Sequence, residues 1–174
     1  MKKGFTMIEL IFVIVILGIL ASVAIPRLAG TRTDAEISAA VANIRTLIGD
    51  LSSYYAVKGS FTDAKWGDVT NVPIHFSRNR PVSNAKVTEG DDDGAVYLSA
   101  GGTDCIVIRV RADTTPVCIE IAKVRNNTDA GICPEVIAAA PIKAFLDAKV
   151  PGITPIERDG AGIIALGSSI SIHQ

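Results

Sequence analysis

A chain of 174 residues is long enough for one domain with its own core and too short for two independent ones. Its formal net charge of -1, without a long run of Lys or Arg, offers no basic stripe to a nucleic acid or an anionic membrane, and no nucleic-acid partner is expected. Hydrophobic residues make up 48% of the chain but crowd near its start, so the class is set there.

Residues 10–25, LIFVIVILGILASVAI, form an apolar run interrupted only by Ser22. With Phe5 to Glu9 added, about 21 residues lie between Gly4 and Pro26, roughly 31 Å of helix against a bilayer core of roughly 30 Å. Lys2 and Lys3 precede the run, while Arg27, Arg32 and two acids follow it, a mild bias toward a cytoplasmic N-terminus. A secretory signal cut near Ser22-Val23-Ala24 is the competing reading. Glu9 speaks against it: an acid at mid-helix costs roughly 2.5–3.5 kcal/mol on insertion scales, and less near the helix end, yet a plain signal has no use for one. Gly18 and Ser22 are spaced as a small-xxx-small pair that lets helices approach closely. Pro26 removes a backbone hydrogen bond and disfavours helix at Ile25.

Past Pro26 the apolar positions Ile37, Val41, Ile44, Leu47, Ile48, Leu51 and Tyr55 keep helical spacing and form one stripe. Gly59 is the natural stop. The predicted helix, Phe5 to Lys58, has about 54 residues and a length of roughly 80 Å. Residues 59–94 read as a long polar loop with short elements, anchored by Trp66. Ala95 to Leu98, Cys105 to Arg111 and Val117 to Val124 read as an antiparallel three-stranded meander, its last turn near Asp113 to Pro116. Ile106, Ile108 and Val110 share the face that should sit on the helix stripe, and Val107, Arg109 and Arg111 share the other. A short helix over Pro141 to Ala148 and strands at Ile163 to Leu166 and Ser169 to Ile172 complete the head. The predicted class is α+β: a long N-terminal helical stalk whose outer half packs on an antiparallel β-sheet head.

Little in the head promises chemistry. Asp91, Asp92 and Asp93, between Gly90 and Gly94, could hold calcium through oxygen ligands, but the spacing is not that of an EF-hand, and a solvated turn is the other reading. His75 and His173 have no ligand or nucleophile partner in sequence, and the cysteines lack zinc spacing. Asn126-Asn127-Thr128 fits the minimal glycosylation pattern. Neither an enzyme nor a cofactor is expected.

The segment Lys2-Lys3-Gly4-Phe5-Thr6-Met7-Ile8-Glu9-Leu10 resembles the processing and methylation motif of type IV pilins and type II secretion pseudopilins. The resemblance is close from Lys2 to about Pro26 and loose to about Lys58; Tyr54-Tyr55 followed by Lys58-Gly59 is similar to the end of the helix in major pseudopilins. It implies a leader, residues 1–4, removed after Gly4 by a membrane prepilin peptidase that also methylates the new amine of Phe5. Residues 5–26 would then form a transmembrane or filament-core helix, 27–58 an amphipathic helix on the head, and 59–174 the head. The resemblance further implies that Glu9 meets the N-terminal amine of a neighbouring subunit, each charge offsetting the burial of the other. Snorkelling of Glu9 to the interface, favoured by the helix dipole, is the alternative. The stretch from Gly18 to Pro26 would loosen on passage from bilayer to filament, with a merely kinked membrane helix as the other reading.

A disulfide between Cys118 and Cys133 is implied in the same way, with Cys105 to Cys118 as its rival and three free thiols as the third outcome. The implied partners are other copies of the chain, the peptidase, and the platform protein and ATPase of a filament machine. The chain would sit in the inner membrane as a single pass with a cytoplasmic N-terminus, and then in a periplasmic or extracellular filament. The expected function is that of a pilin, with a type II secretion pseudopilin as the alternative and a membrane-anchored module that never polymerises as the second.

Overall fold

The computed structural model describes residues 4–76, 80–88, 94–156 and 160–167, and for residues 26–29 and 31 the backbone alone. It divides into two units, Met1–Ala35 and Glu36–Gln174. The first helix, α1, covers Met7–Lys58. In the first unit every side chain from Phe5 to Ile25 is exposed, and Met7–Ile25 is long and apolar enough to cross a membrane.

Within the second unit α1 behaves differently. Ala40, Ile44, Leu47, Ile48 and Leu51 are buried, with Ile37, Val41, Tyr54 and Tyr55 packed beside them, so the stripe expected from spacing is the buried face. Each such Leu or Ile contributes about 1.5–3 kcal/mol when removed from water. The helix ends as its sequence requires: Gly59 takes φ +70° and its N–H donates to the Tyr55 carbonyl at 2.8 Å. Tyr54 and Tyr55 each stack on Phe61 with centroids 5.7 Å apart and close the cap. A short helix, α2 (Trp66–Val69), follows; Trp66 is buried as an anchor, and the Thr70 hydroxyl beyond it donates to Asp50 of α1 at 2.6 Å.

Six strands make one antiparallel sheet among the described residues: β1 (His75–Phe76), β2 (Arg80–Pro81), β3 (Val96–Ala100), β4 (Thr103–Arg111), β5 (Cys118–Lys123) and β6 (Gly162–Ala165). Their spatial order is β2-β1-β3-β4-β5-β6, with the expected meander at its centre. The turn between β4 and β5 contains a cis peptide at Thr115–Pro116. Two helices, α3 (Cys133–Ala138) and α4 (Ala140–Leu146), stand where one was expected, and they add Val136, Ile142 and Leu146 to the core shared by α1 and the inner sheet face. The strand expected at Ser169 to Ile172 lies outside the described residues.

The β3–β4 pairing contains a bulge. Leu98 pairs with Ile106 and Ser99 with Asp104, which leaves Cys105 as the extra residue. Alternation would send Cys105 to the outer face with Val107 and Arg109, but Cys105 lies with Ile106 in the core cluster. There it meets the first residue of α3. The disulfide joins Cys105 to Cys133, with Cα atoms 5.1 Å apart, and Cys118 is free and buried. The expected Cys118–Cys133 bridge and its Cys105–Cys118 rival are both corrected, for one geometric reason. Cys118 pairs with Arg111 at the other end of the hairpin, about 20 Å along the strand from Cys105.

The outer sheet face is covered as well. Ala95, Val107 and Ala122 form a small cluster with Tyr97, Val124 and Ala161. Beside it Arg109 and Glu120, direct partners across β4 and β5, are both buried. Glu120 accepts the Arg111 guanidinium at 3.3 Å and the Ile156 N–H at 3.1 Å on one oxygen, and Arg109 stands 3.9 Å from the other. Arg111 also donates to the Thr154 carbonyl at 3.4 Å, so segment 154–156 is strapped across the sheet by its backbone. Arg111 grips Asp113 through two nitrogens, which holds the Asp113 carboxyl below the usual carboxylate range. Two features bear on the sheet's margins. Pro81 in β2 has no N–H to offer, and the outer N–H of Ile163 in β6 donates to the Ala148 carbonyl at 2.8 Å.

Candidate functional site: the N-terminal helix

The residues singled out for processing and assembly lie on one continuous segment. Gly4, Phe5 and Thr6 precede the helix, which starts at Met7. Nothing approaches within 4 Å of the position a Cβ would take on Gly4. The start of the helix is fixed by a reciprocal pair. The Glu9 N–H donates to the Thr6 hydroxyl at 3.3 Å, and a Glu9 carboxylate oxygen accepts both the Thr6 N–H at 2.8 Å and the Thr6 hydroxyl at 2.6 Å. This is a capping box, which satisfies two N–H groups that a helix end leaves without partners and keeps residues 4–6 out of the helix.

Glu9 therefore has a local task in the isolated chain, and the acid at the helix start also suits the dipole. Thr6 was not expected to take part, although the Thr-x-x-Glu spacing before an apolar run is the signal that marks such a box. Further along, Gly18 has open space around it, and Ser22 donates its hydroxyl to the Ile19 carbonyl at 2.7 Å. The helix continues through Pro26, whose missing N–H deprives the Ser22 carbonyl of its usual donor. The segment thus combines three residues before the helix, a capped start, an apolar surface and two helix-weakening residues, Gly18 and Pro26.

The head brings together other residues that the sequence left apart. His75, Ser99 and Asp104 converge on the outer sheet face. Arg109 and Arg111 meet around Glu120, while Arg80 lies over the Phe76 ring. Asp91, Asp92 and Asp93, the calcium candidates, and His173 also lie outside the described residues.

A capped apolar helix joined to an antiparallel α+β head defines a pilin-like chain. Comparison with known proteins agrees: the prokaryotic N-terminal methylation motif matches residues 1–25. The chain is 43% identical over 53 residues to the type II secretion system core protein G of Dickeya chrysanthemi, an overlap of 30% of this chain and 35% of that protein. It is 42% identical over 53 residues to the core protein G of Escherichia coli strain K12, covering 30% and 37%. The fimbrial protein EcpC of Eikenella corrodens is 29% identical over 113 residues, 65% of each chain. The chain thus spans about a third of the length of the secretion relatives it matches, and no solved structure matches it.

Proposed function

We propose that this chain is the precursor of a type IV filament subunit, trimmed after Gly4, methylated on Phe5 and polymerised through its N-terminal helix. The observation that carries the reading is a methylation motif whose Glu9 stands at the head of an exposed apolar helix. The peptidase needs an accessible junction, and the capping box leaves Gly4–Phe5 outside the helix. The apolar face suits first a bilayer and then the core of a filament, where a neighbouring amine would answer the Glu9 charge. The partners are further copies of the chain, the prepilin peptidase, and the platform protein and ATPase of a filament machine. The route runs from a single pass in the inner membrane, N-terminus inside, to a filament outside it.

The matches to core protein G favour a second, narrower reading, the pseudopilin of a type II secretion system. Deleting the gene separates the two: loss of surface filaments marks a pilin, whereas loss of exoprotein release with filaments intact marks a pseudopilin.

Mass spectrometry of the mature N-terminus tests the shared claim. A methylated Phe5 is expected; an intact Met1 or an N-terminus near Ile25 overturns it. Glu9→Leu should insert normally and yield few filaments, and a wild-type yield would remove the registry role of Glu9.

A further inference from the structure

The cluster of His75, Ser99 and Asp104 has a hydrogen-bond inventory that lacks one positive centre. The His75 Nδ1 lies 2.9 Å from the Phe76 carbonyl. A carbonyl only accepts, so Nδ1 carries the hydrogen and, in the neutral ring, Nε2 carries the lone pair. That lone pair faces the Ser99 Oγ at 2.8 Å and the Asp104 Oδ1 at 3.0 Å. The Ser99 hydroxyl spends its hydrogen on Asp104 Oδ1, 2.6 Å away. Three electron-rich atoms therefore converge on one point. A proton on Nε2 would complete the set as an ion pair with Asp104; a metal ion in its place would be held by all three atoms.

The framework holds these atoms in place. Ser99 and Asp104 are direct partners across β3 and β4, next to the bulge that the Cys105–Cys133 disulfide fastens. His75 pairs with Tyr97 from β1, and its ring stacks on Tyr97 with centroids 6.3 Å apart. The Asp104 main chain is fixed by the Asn127 side-chain amide, which donates to its carbonyl at 3.0 Å. A ring nitrogen that donates to a main-chain carbonyl, as Nδ1 does here, is the usual outer support of a histidine that binds metal through its other nitrogen. The His75 and Asp104 side chains keep 15% and 28% of their exposure, so the cluster is not sealed from solvent.

We infer that His75 Nε2, Asp104 Oδ1 and Ser99 Oγ form a binding site for a divalent transition-metal ion of the zinc type. Among the described residues no third His, Cys, Asp or Glu joins them, so the hydroxyl and water complete the shell. Nitrogen plus carboxylate suits zinc, whereas calcium asks for six to eight oxygens. Tetrahedral zinc, at about 2.0–2.2 Å from each ligand, needs its donors roughly half an ångström farther apart than they stand, a change within reach of the Ser99 and Asp104 side-chain rotations.

The test is titration of the full-length chain in detergent micelles with zinc chloride, read by calorimetry and by nitrogen-15 NMR of the imidazoles. The sequence has two histidines, so His173→Gln serves as the background that removes the other ring. Saturable one-to-one binding in that background is expected, with the His75 Nε2 signal moving to its metal-bound position. His75→Gln and Asp104→Asn should abolish it, and Ser99→Ala should weaken it while leaving the fold intact by circular dichroism. Absence of saturation at millimolar zinc, a His75 signal unmoved by zinc, or undiminished binding in His75→Gln overturns the proposal.

Discussion

Glu120 is a carboxylate with no exposed side-chain surface, and its two oxygens are answered from different places: Arg111 and the Ile156 N–H on one, Arg109 near the other. Such a group contributes little net stability compared with a well-packed apolar residue, but removing it strands buried partners. Glu120→Ala should therefore cost about 2–4 kcal/mol in urea unfolding of the full chain in micelles, leaving Arg109 with less compensation and the Ile156 N–H without its acceptor. Glu120→Gln keeps an acceptor for that N–H and should recover part of the loss, which separates hydrogen bonding from charge. At the same scale, Glu9 shows how much one side chain can hide. Its place in an apolar run was legible as an anomaly that assembly would explain. The capping role was written in Thr6-x-x-Glu9 as well, but a carboxylate read as functional draws attention away from the commonplace structural task it also performs.

Among the elements, β6 and α4 press together so closely that the position a Cβ would occupy on Gly162 overlaps the Phe145 main-chain carbonyl. That contact is backbone against backbone and cannot be relieved by turning a side chain. Gly162→Ala should push α4 off the strand at a cost of about 1–3 kcal/mol, measured by chemical denaturation, with faster amide exchange at Ile163 as the local sign. The long elements were legible because their periods are long: the stripe from Ile37 to Tyr55 and the alternation in β4 each repeat often enough to fix a face. Two-residue strands such as β1 and β2 contain no period at all. The bulge at Cys105 was equally silent, since Val and Ile continue on either side of it and only the pairing with β3 reveals the extra residue. That shift turns Cys105 toward Cys133, a pairing the expected Cys118–Cys133 bridge, implied by resemblance alone, did not include.

For the molecule as a whole, the disulfide ties β4 to α3 across 28 residues of sequence. Closing a loop of that length stabilises by about 3.5 kcal/mol in the chain-entropy account. Cys105→Ser or Cys133→Ser should lower stability by about 2–4 kcal/mol, while Cys118→Ser leaves the non-reducing peptide map unchanged. Burial pushes the Cys118 thiol up, away from the reactive thiolate. One thiol per chain should therefore react with a thiol reagent after unfolding and almost none before it.

The two features at the sheet's margins bear on what such a chain can do in company. A subunit that joins others through one exposed helix meets its neighbours at very high local concentration, where any open strand would recruit another indiscriminately. Here β2 ends on Pro81, which has no N–H, and Ala148 has already claimed the Ile163 donor of β6. If the chain polymerises through its helix as proposed above, these two edge features leave fewer strand groups to compete with that contact.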